Sequence, residues 1–137
     1  MKALIDTNVW LRFFLEDIPE QYDQALKLFS LIERGEITPY VSTIILLEIY
    51  FIFKKVYKQS DAEIVIIFQK ILEFRGITLI EKTNFPQALN FLKLYHIKLS
   101  DCLIASQIPE KAVLVTFDKE FSKIKEISSK KPDEIVD

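Results

Sequence analysis

The sequence predicts a single α/β domain, with a short central parallel sheet of four to five strands flanked by helices on both faces. Three observations predict it. Four short apolar stretches, Lys2–Ile5, Ile37–Val41, Ile77–Ile80 and Ala112–Phe117, alternate with helical patterns. Most of the intervening segments are long enough to carry a strand back to a parallel neighbour, which takes about a dozen residues. Hydrophobic residues make up 50% of the 137, and no stretch reads as a linker, repeat or low-complexity segment, as expected for one core in one domain.

Each element has a local reason. Lys2–Ile5 is a short buried strand that exits through Asp6-Thr7-Asn8 into a helix from about Val9 to Leu15. Pro19 opens a long amphipathic helix, whose apolar positions Tyr22, Ala25, Leu26, Phe29 and Ile32 keep the helical period. Gly35 falls just past its end, at the left-handed C′ position. In Ile37–Val41, Pro39 argues for a sheet edge or a strand start. Thr43–Tyr57 is too long for a strand and holds no breaker, so it is expected as a mostly buried helix. Ser60-Asp61-Ala62-Glu63 is a capping box for a helix to about Arg75, closed by Gly76 at C′. After the strand Ile77–Ile80, Asn84–Tyr95 is helical with Pro86 in its first turn. A short helix starts at Ser100 or Asp101 and ends by Pro109. Ala112–Phe117 is the fourth strand and Lys119–Lys123 a helical turn, and the polar tail after about Ser128 is expected to fray.

Composition removes several chemistries. Two glycines cannot build a P-loop or a GxGxxG turn. One Cys and one His exclude a Cys/His zinc cage and a disulfide within the chain. Any Ser-His-acid triad would have to use His96. Eighteen basic residues against 20 acidic ones give a formal charge of −2, so no global basic field draws in a polyanion. A nucleic acid would have to be held by local lysines or by bound metal ions. The longest apolar run, Ile44–Phe53, is interrupted by Glu48 and is far short of the roughly 20 residues that span a bilayer. Asp6 follows the apolar segment Ala3–Ile5, against a signal peptide. The expectation is a cytoplasmic protein with no membrane association.

Four carboxylates stand out. Asp6 and Asp118 each follow an apolar strand directly, and ligands of open parallel sheets bind outside the carboxyl ends of strands. The structural alternative for each is a helix N-cap. Glu48 stands alone in an apolar run, where a buried carboxylate is costly unless it is paired or holds a metal. Its alternatives are a salt bridge to a lysine and a side chain that reaches solvent at the helix edge. Asp101, in Leu99-Ser100-Asp101-Cys102-Leu103-Ile104-Ala105, either joins the set or simply favours its helix dipole, with Ser100 as cap. Taken together, the four offer the hard oxygen ligands that suit Mg²⁺ or Mn²⁺. Crowded acids need cations to stay ionised, and such a site can cleave a phosphodiester without His, Cys or a glycine loop.

The same residues resemble a known family. Ile5-Asp6-Thr7-Asn8-Val9-Trp10-Leu11-Arg12, followed by Asp17-Ile18-Pro19-Glu20-Gln21, resembles the opening of PIN-domain ribonucleases, above all the VapC toxins of bacterial and archaeal toxin–antitoxin pairs. Leu47-Glu48, the segment around Asp101 and Leu114-Val115-Thr116-Phe117-Asp118-Lys119-Glu120-Phe121 are similar to the later motifs, in order. Each motif alone is weak, but the ordered set is specific and covers nearly the whole chain. The resemblance implies a single PIN-like domain over residues 1–137. It implies a site of Asp6, Glu48, Asp101 and Asp118 around one or two Mg²⁺ or Mn²⁺ ions, with Asp118 the most variable acid. Asn8 and Thr116 would orient carboxylates or a metal-bound water. The implied reaction is endonucleolytic hydrolysis of RNA by a metal-activated water. VapC-like proteins are generally homodimers, and a cognate antitoxin blocks the site with an inserted segment.

Other residues carry paired readings. Arg12 is available to phosphate or to a neighbouring acid, with a plain surface role as the alternative. Lys54, Lys55 and Lys58 could touch an RNA backbone, or form a solvated helix end that favours the dipole. Phe51 and Phe53 read as core or dimer interface, Cys102 as a small buried hydrophobe, and His96 as a surface or helix-end residue. Three rival functions fit less well. A haloacid-dehalogenase-type phosphotransferase needs a second acid where this chain has Asn8. A signalling receiver needs an Asp after the third strand, where Glu81-Lys82 stands. A non-catalytic binding module has no use for the full set of four acids. A solitary RNA-processing nuclease of the same fold remains the alternative to a toxin.

Overall fold

The computed structural model describes residues 1–135. A five-stranded parallel sheet runs in the order β3-β2-β1-β4-β5. Its strands are β1 (Lys2–Ile5), β2 (Thr38–Ser42), β3 (Thr78–Ile80), β4 (Ala112–Val115) and β5 (Ser129–Lys130). The helices among the described residues are α1 (Thr7–Leu15), α2 (Pro19–Glu33), α3 (Thr43–Lys55), α4 (Asp61–Leu72), α5 (Phe85–Tyr95), α6 (Leu99–Ser106) and the short α7 (Pro132–Ile135). A 3₁₀ turn spans Lys119–Lys123. The predicted single α/β domain is the fold observed.

The centre of the sheet is dry on both faces. Consecutive residues Ala3, Leu4 and Ile5 of β1 are all fully buried, as are Leu114 and Val115 of β4. Side chains of a strand alternate between faces, so burial of every one requires helices on both sides. One covering layer is an aromatic cluster. Trp10 of α1 packs against Phe14, Phe29 and Phe74, with ring centroids 6.5, 4.8 and 5.5 Å away. Its indole N–H donates to the Ile5 carbonyl at 3.1 Å, so the same side chain that fills the core ties α1 to the end of β1.

Several local expectations change. Pro39 is at a strand start but not at a sheet edge, because β2 lies between β1 and β3. Thr38 donates its N–H to Met1 of the β1 side at 2.8 Å, so the next nitrogen, that of Pro39, faces the β3 side. Pairing with β3 begins only at Tyr40, and the missing N–H therefore leaves no rung unmade. Gly35 takes the expected left-handed conformation after α2, with φ +79°. Gly76 does not sit at C′: α4 ends at Leu72 with Glu73 as its cap, and Gly76 lies in the following turn. The Ser60–Glu63 capping box forms as expected. Helix α6 starts at Leu99 with Lys98 as N-cap and no side-chain cap bond, so Ser100 is not the cap.

Two corrections bear on the site. Helix α3 is not mostly buried: Ile45, Ile49 and Phe53 face the core, while Leu47 and Phe51 are 52% and 45% exposed. Phe53 is thus core and Phe51 surface. The expected frayed tail also contains structure, because Ser129–Lys130 pairs in parallel with β4 and Pro132–Ile135 is helical. Residues 136–137, also part of that expected tail, lie outside the described residues. No helix among the described residues is long and apolar enough to cross a membrane.

The aromatic anchor gives a stability prediction. Trp10→Ala removes a fully buried side chain and its hydrogen bond to Ile5, and the expected loss is about 3–5 kcal/mol. Urea unfolding followed by circular dichroism measures it, and Trp10→Phe should recover a substantial part.

Candidate functional site

The order of the sheet creates the site. From β1 the chain first moves to one side, to β2 and β3, and later returns to the other side with β4 and β5. The carboxyl ends of β1 and β4 therefore flank the point where the winding reverses, the position where such sheets bind ligands. Asp6 leaves β1 there, and Thr116 and Asp118 follow β4.

Asp6 is held on three sides. Its N–H donates to the Val115 carbonyl at 2.9 Å, which keeps it in line with the sheet and beside Thr116. One carboxylate oxygen accepts the Thr7 N–H at 2.8 Å, and the other accepts the Thr116 hydroxyl at 2.7 Å. The residue is 4% exposed. It caps α1, as the structural reading expects, and it does so at the winding reversal of the sheet. The Thr116 hydroxyl in turn accepts the Asn8 side-chain amide at 3.3 Å and the Asp118 N–H at 3.0 Å. Asn8 accepts the Phe117 N–H through its side-chain oxygen at 3.1 Å. The Asp118 carboxylate caps the 3₁₀ turn through the Glu120 N–H at 2.9 Å.

Two helices bring the remaining acids. Glu48 projects from α3 and accepts the Thr7 hydroxyl at 2.5 Å. It is half-buried, which corrects the expectation of a buried carboxylate and follows from the open outer face of α3. Asp101 sits in the first turn of α6 and is buried, with the buried Cys102 beside it. Among the described residues, none of Asp6, Glu48, Asp101 and Asp118 takes part in an ion pair. The polar partners of Asp6, Glu48 and Asp118 are neutral hydroxyls and backbone amides.

The electrostatics follow from that arrangement. Desolvation pushes the Asp6 carboxyl up to about 7, and the charges of Glu48 and Asp101 push the same way. The bonds from Thr116 and Thr7 oppose the rise without cancelling it. Desolvation also raises Asp101 to about 6, with Glu48, Asp118 and Glu120 adding to the rise and Lys98 opposing it. The acids thus sense one another through the crevice, and a divalent cation would relieve their repulsion. Among the described residues, no three His, Cys, Asp or Glu side chains form a ready-made metal cage. The donor set still fits a hard cation, because it consists of carboxylate oxygens alone. Mg²⁺ is commonly held by one or two carboxylates, with waters completing its shell.

The basic residues singled out in the sequence are engaged elsewhere. Arg12 pairs with Asp17 at 3.0 Å, and Lys54 pairs with Asp61 at 2.9 Å. Lys55 lies over the Phe51 ring, 5.2 Å from its centroid, roughly 10 Å along α3 from Glu48 by helix rise. Lys58 follows the end of α3 and is exposed. Three residues near the acids were not legible as site residues: Thr7, Lys98 and Glu120. Lys98 stands three positions before Asp101, a spacing at which helical neighbours meet, and that spacing was the available signal. Thr7 was hidden by the expectation that α1 begins only at Val9.

Comparison with known proteins agrees with this architecture. No curated protein matches the chain. Among solved structures, the chain is similar to the crystal structure of VapBC2 from Rickettsia felis bound to a DNA fragment from their promoter. That likeness has a TM-score of 0.67 at 21% identity and covers 96% of this chain and 98% of the other. It is also similar to PAE2754 from Pyrobaculum aerophilum, with a TM-score of 0.66 at 17% identity over 99% and 87% of the two chains. Both likenesses concern the fold. The PIN domain family model matches residues 3–127, a span that runs from β1 past the 3₁₀ turn and includes all four acids. The chain belongs to the PIN domain family.

Proposed function

We propose that this protein is a Mg²⁺- or Mn²⁺-dependent endoribonuclease, acting as the toxin of a toxin–antitoxin pair. The observation that carries the nuclease reading is the set of four acids at the sheet's winding reversal, free of ion pairs among the described residues and including one that is 4% exposed. Burying carboxylates without cationic partners is unfavourable, and a bound divalent cation would supply what the protein leaves out. PIN domains are generally nucleases, which supports the same reading. The likeness to VapBC2 supports the toxin assignment.

In this reading Asp6, Glu48 and Asp101 hold one or two cations, with Asp118 as a further ligand. A bound cation supplies Lewis-acid stabilisation of phosphodiester charge and lowers the pKa of attacking water. The chain's own residues do the positioning. Thr116 fixes the Asp6 carboxylate from one side and Thr7 from the other, while Thr7 also holds Glu48, so two threonines set the relative orientation of Asp6 and Glu48. Asn8 locks Thr116 by donating to its hydroxyl and accepting from Phe117, which leaves that hydroxyl one donor direction, toward Asp6. Arg12, Lys54 and Lys55 would touch RNA only if it extends well beyond the acids.

The partners proposed with this function are RNA, a second copy of the chain and an antitoxin that blocks the site, all in the cytoplasm. Helices α3 and α4 expose Leu47, Phe51, Val65 and Ile66, apolar side chains that a second copy would cover.

Activity tests rank the residues. With Mg²⁺ or Mn²⁺, the wild type should cleave a mixed RNA pool and EDTA should abolish cleavage. Thr116→Val, which keeps shape but loses the bond to Asp6, should lower the rate roughly 10- to 100-fold. Asp6→Asn and Asp101→Asn should lower it further. Equal rates in the wild type and the two Asn variants would refute the site, and cleavage that survives EDTA would refute the metal dependence.

The raised carboxyls fix the sign of a pH effect. In metal-free protein, Asp6 and Asp101 bind protons more tightly folded than unfolded, where each has its ordinary value of 3.8. Their contribution to stability is therefore full below about pH 4 and is lost as pH rises through about 6 and about 7. Urea midpoints in EDTA should fall between pH 5 and 8, and Asp6→Asn should flatten the fall. Added Mg²⁺ should stabilise the protein more at pH 8 than at pH 5, because protons compete with the cation.

A further inference from the structure

Beside the four acids, on the β5 flank, the surface opens into a cleft of about 180 Å³. Thr116 and Asp118 form the wall it shares with the acid site, and Lys119, Ser129, Lys130 and Lys131 line the rest together with Ser122 and Glu134. The cleft adjoins the site, since Thr116, which lines it, donates its hydroxyl to Asp6 at 2.7 Å. Among the described residues, none of its three lysines takes part in an ion pair, whereas nearby Lys123 is matched by Glu120 at 2.7 Å. The Glu134 carboxylate is turned to the Lys131 backbone N–H, at 3.0 Å. Two carboxylates and three ammonium groups leave the cleft with an excess of positive charge, directly next to a centre of four acids in a chain whose net charge is −2.

That contrast needs an explanation. A polyanion approaching Asp6 meets repulsion from the acids, and no global field compensates. The excess of cations lies where β5 and the turn after β4 converge, and two of the three, Lys130 and Lys131, belong to the segment that the sequence pattern reads as a frayed tail. Pairing of Ser129–Lys130 with β4 brings Lys130 and Lys131 to the side where Lys119 follows Asp118.

We infer that this cleft, lined by Lys119, Lys130 and Lys131, is a subsite for adjacent backbone phosphates of the RNA strand, next to the bond that is cut. The inference rests on the nuclease reading and adds to it the direction in which the strand leaves the site, toward the β5 flank. Lysines act there as mobile point charges on phosphate oxygens, and so they position the strand without reading its sequence. An acidic segment of a protein partner is the competing occupant.

The test compares the wild type, Lys119→Ala/Lys131→Ala and Lys119→Arg/Lys131→Arg, with Lys130→Ala as a separate variant. Fluorescence anisotropy of a short labelled single-stranded RNA, in EDTA to prevent cleavage, gives log Kd against log salt for each. Two lost phosphate contacts should flatten the slope by about 1.4 and weaken low-salt binding roughly five- to tenfold. In cleavage assays with Mg²⁺, the loss should fall on KM, and the arginine variant should restore it. Thermal unfolding of each variant separates a folding defect from a binding defect, and Lys130→Ala alone should flatten the slope by about 0.7. If the wild type binds and cleaves RNA but all variants keep its slope and KM, the subsite is refuted and the nuclease reading stands. If the wild type neither binds nor cleaves RNA, both are refuted.

Discussion

The hydrogen bond from Thr116 to Asp6 is the constraint on which the site depends. It spans the gap between the ends of β1 and β4, the two strands at which the winding of the sheet reverses. Both residues are buried, so the bond is strong and its loss would leave an unsatisfied polar group. It also conflicts with stability. The fold places a carboxylate where water cannot solvate it, and hydrogen bonds from neutral donors only partly offset the penalty. Local instability kept in place by a rigid scaffold is the usual mark of a functional position.

The rest of the site is arranged around that bond in a short relay. Asn8 and Asp118 both donate to Thr116, and Thr7 links Asp6 to Glu48. Five of these residues, Asp6, Thr7, Asn8, Thr116 and Asp118, follow β1 or β4 directly, with Thr7 and Asn8 opening α1. Glu48 and Asp101 come instead from α3 and α6, helices that follow no strand of this pair.

Much of the fold could be read because its signals were local. The capping box at Ser60, the left-handed glycine after α2 and the Pro86 turn each depend on a few neighbouring residues. What could not be read depended on distant partners. Ser129–Lys130 has no apolar alternation, and it is a strand only because β4 offers an open edge. Helix α3 looked buried because every position of Ile44–Phe53 except Glu48 is apolar, yet pattern alone cannot say that no element covers Leu47 and Phe51. Of the site, the acids were legible as charges at strand ends and in apolar runs. The threonine relay was not, because hydroxyls are common at strand exits and only the sheet order brings Thr116 to Asp6.

The two outer strands of the sheet have a further consequence. β3 spans three residues and β5 two, so each flank presents very few backbone groups without a partner. A long flat flank invites another chain to add a strand, which leads to aggregation. Here the β-structure is effectively self-terminating. Strand addition at either flank is therefore disfavoured, which leaves association to the side chains on helices and loops.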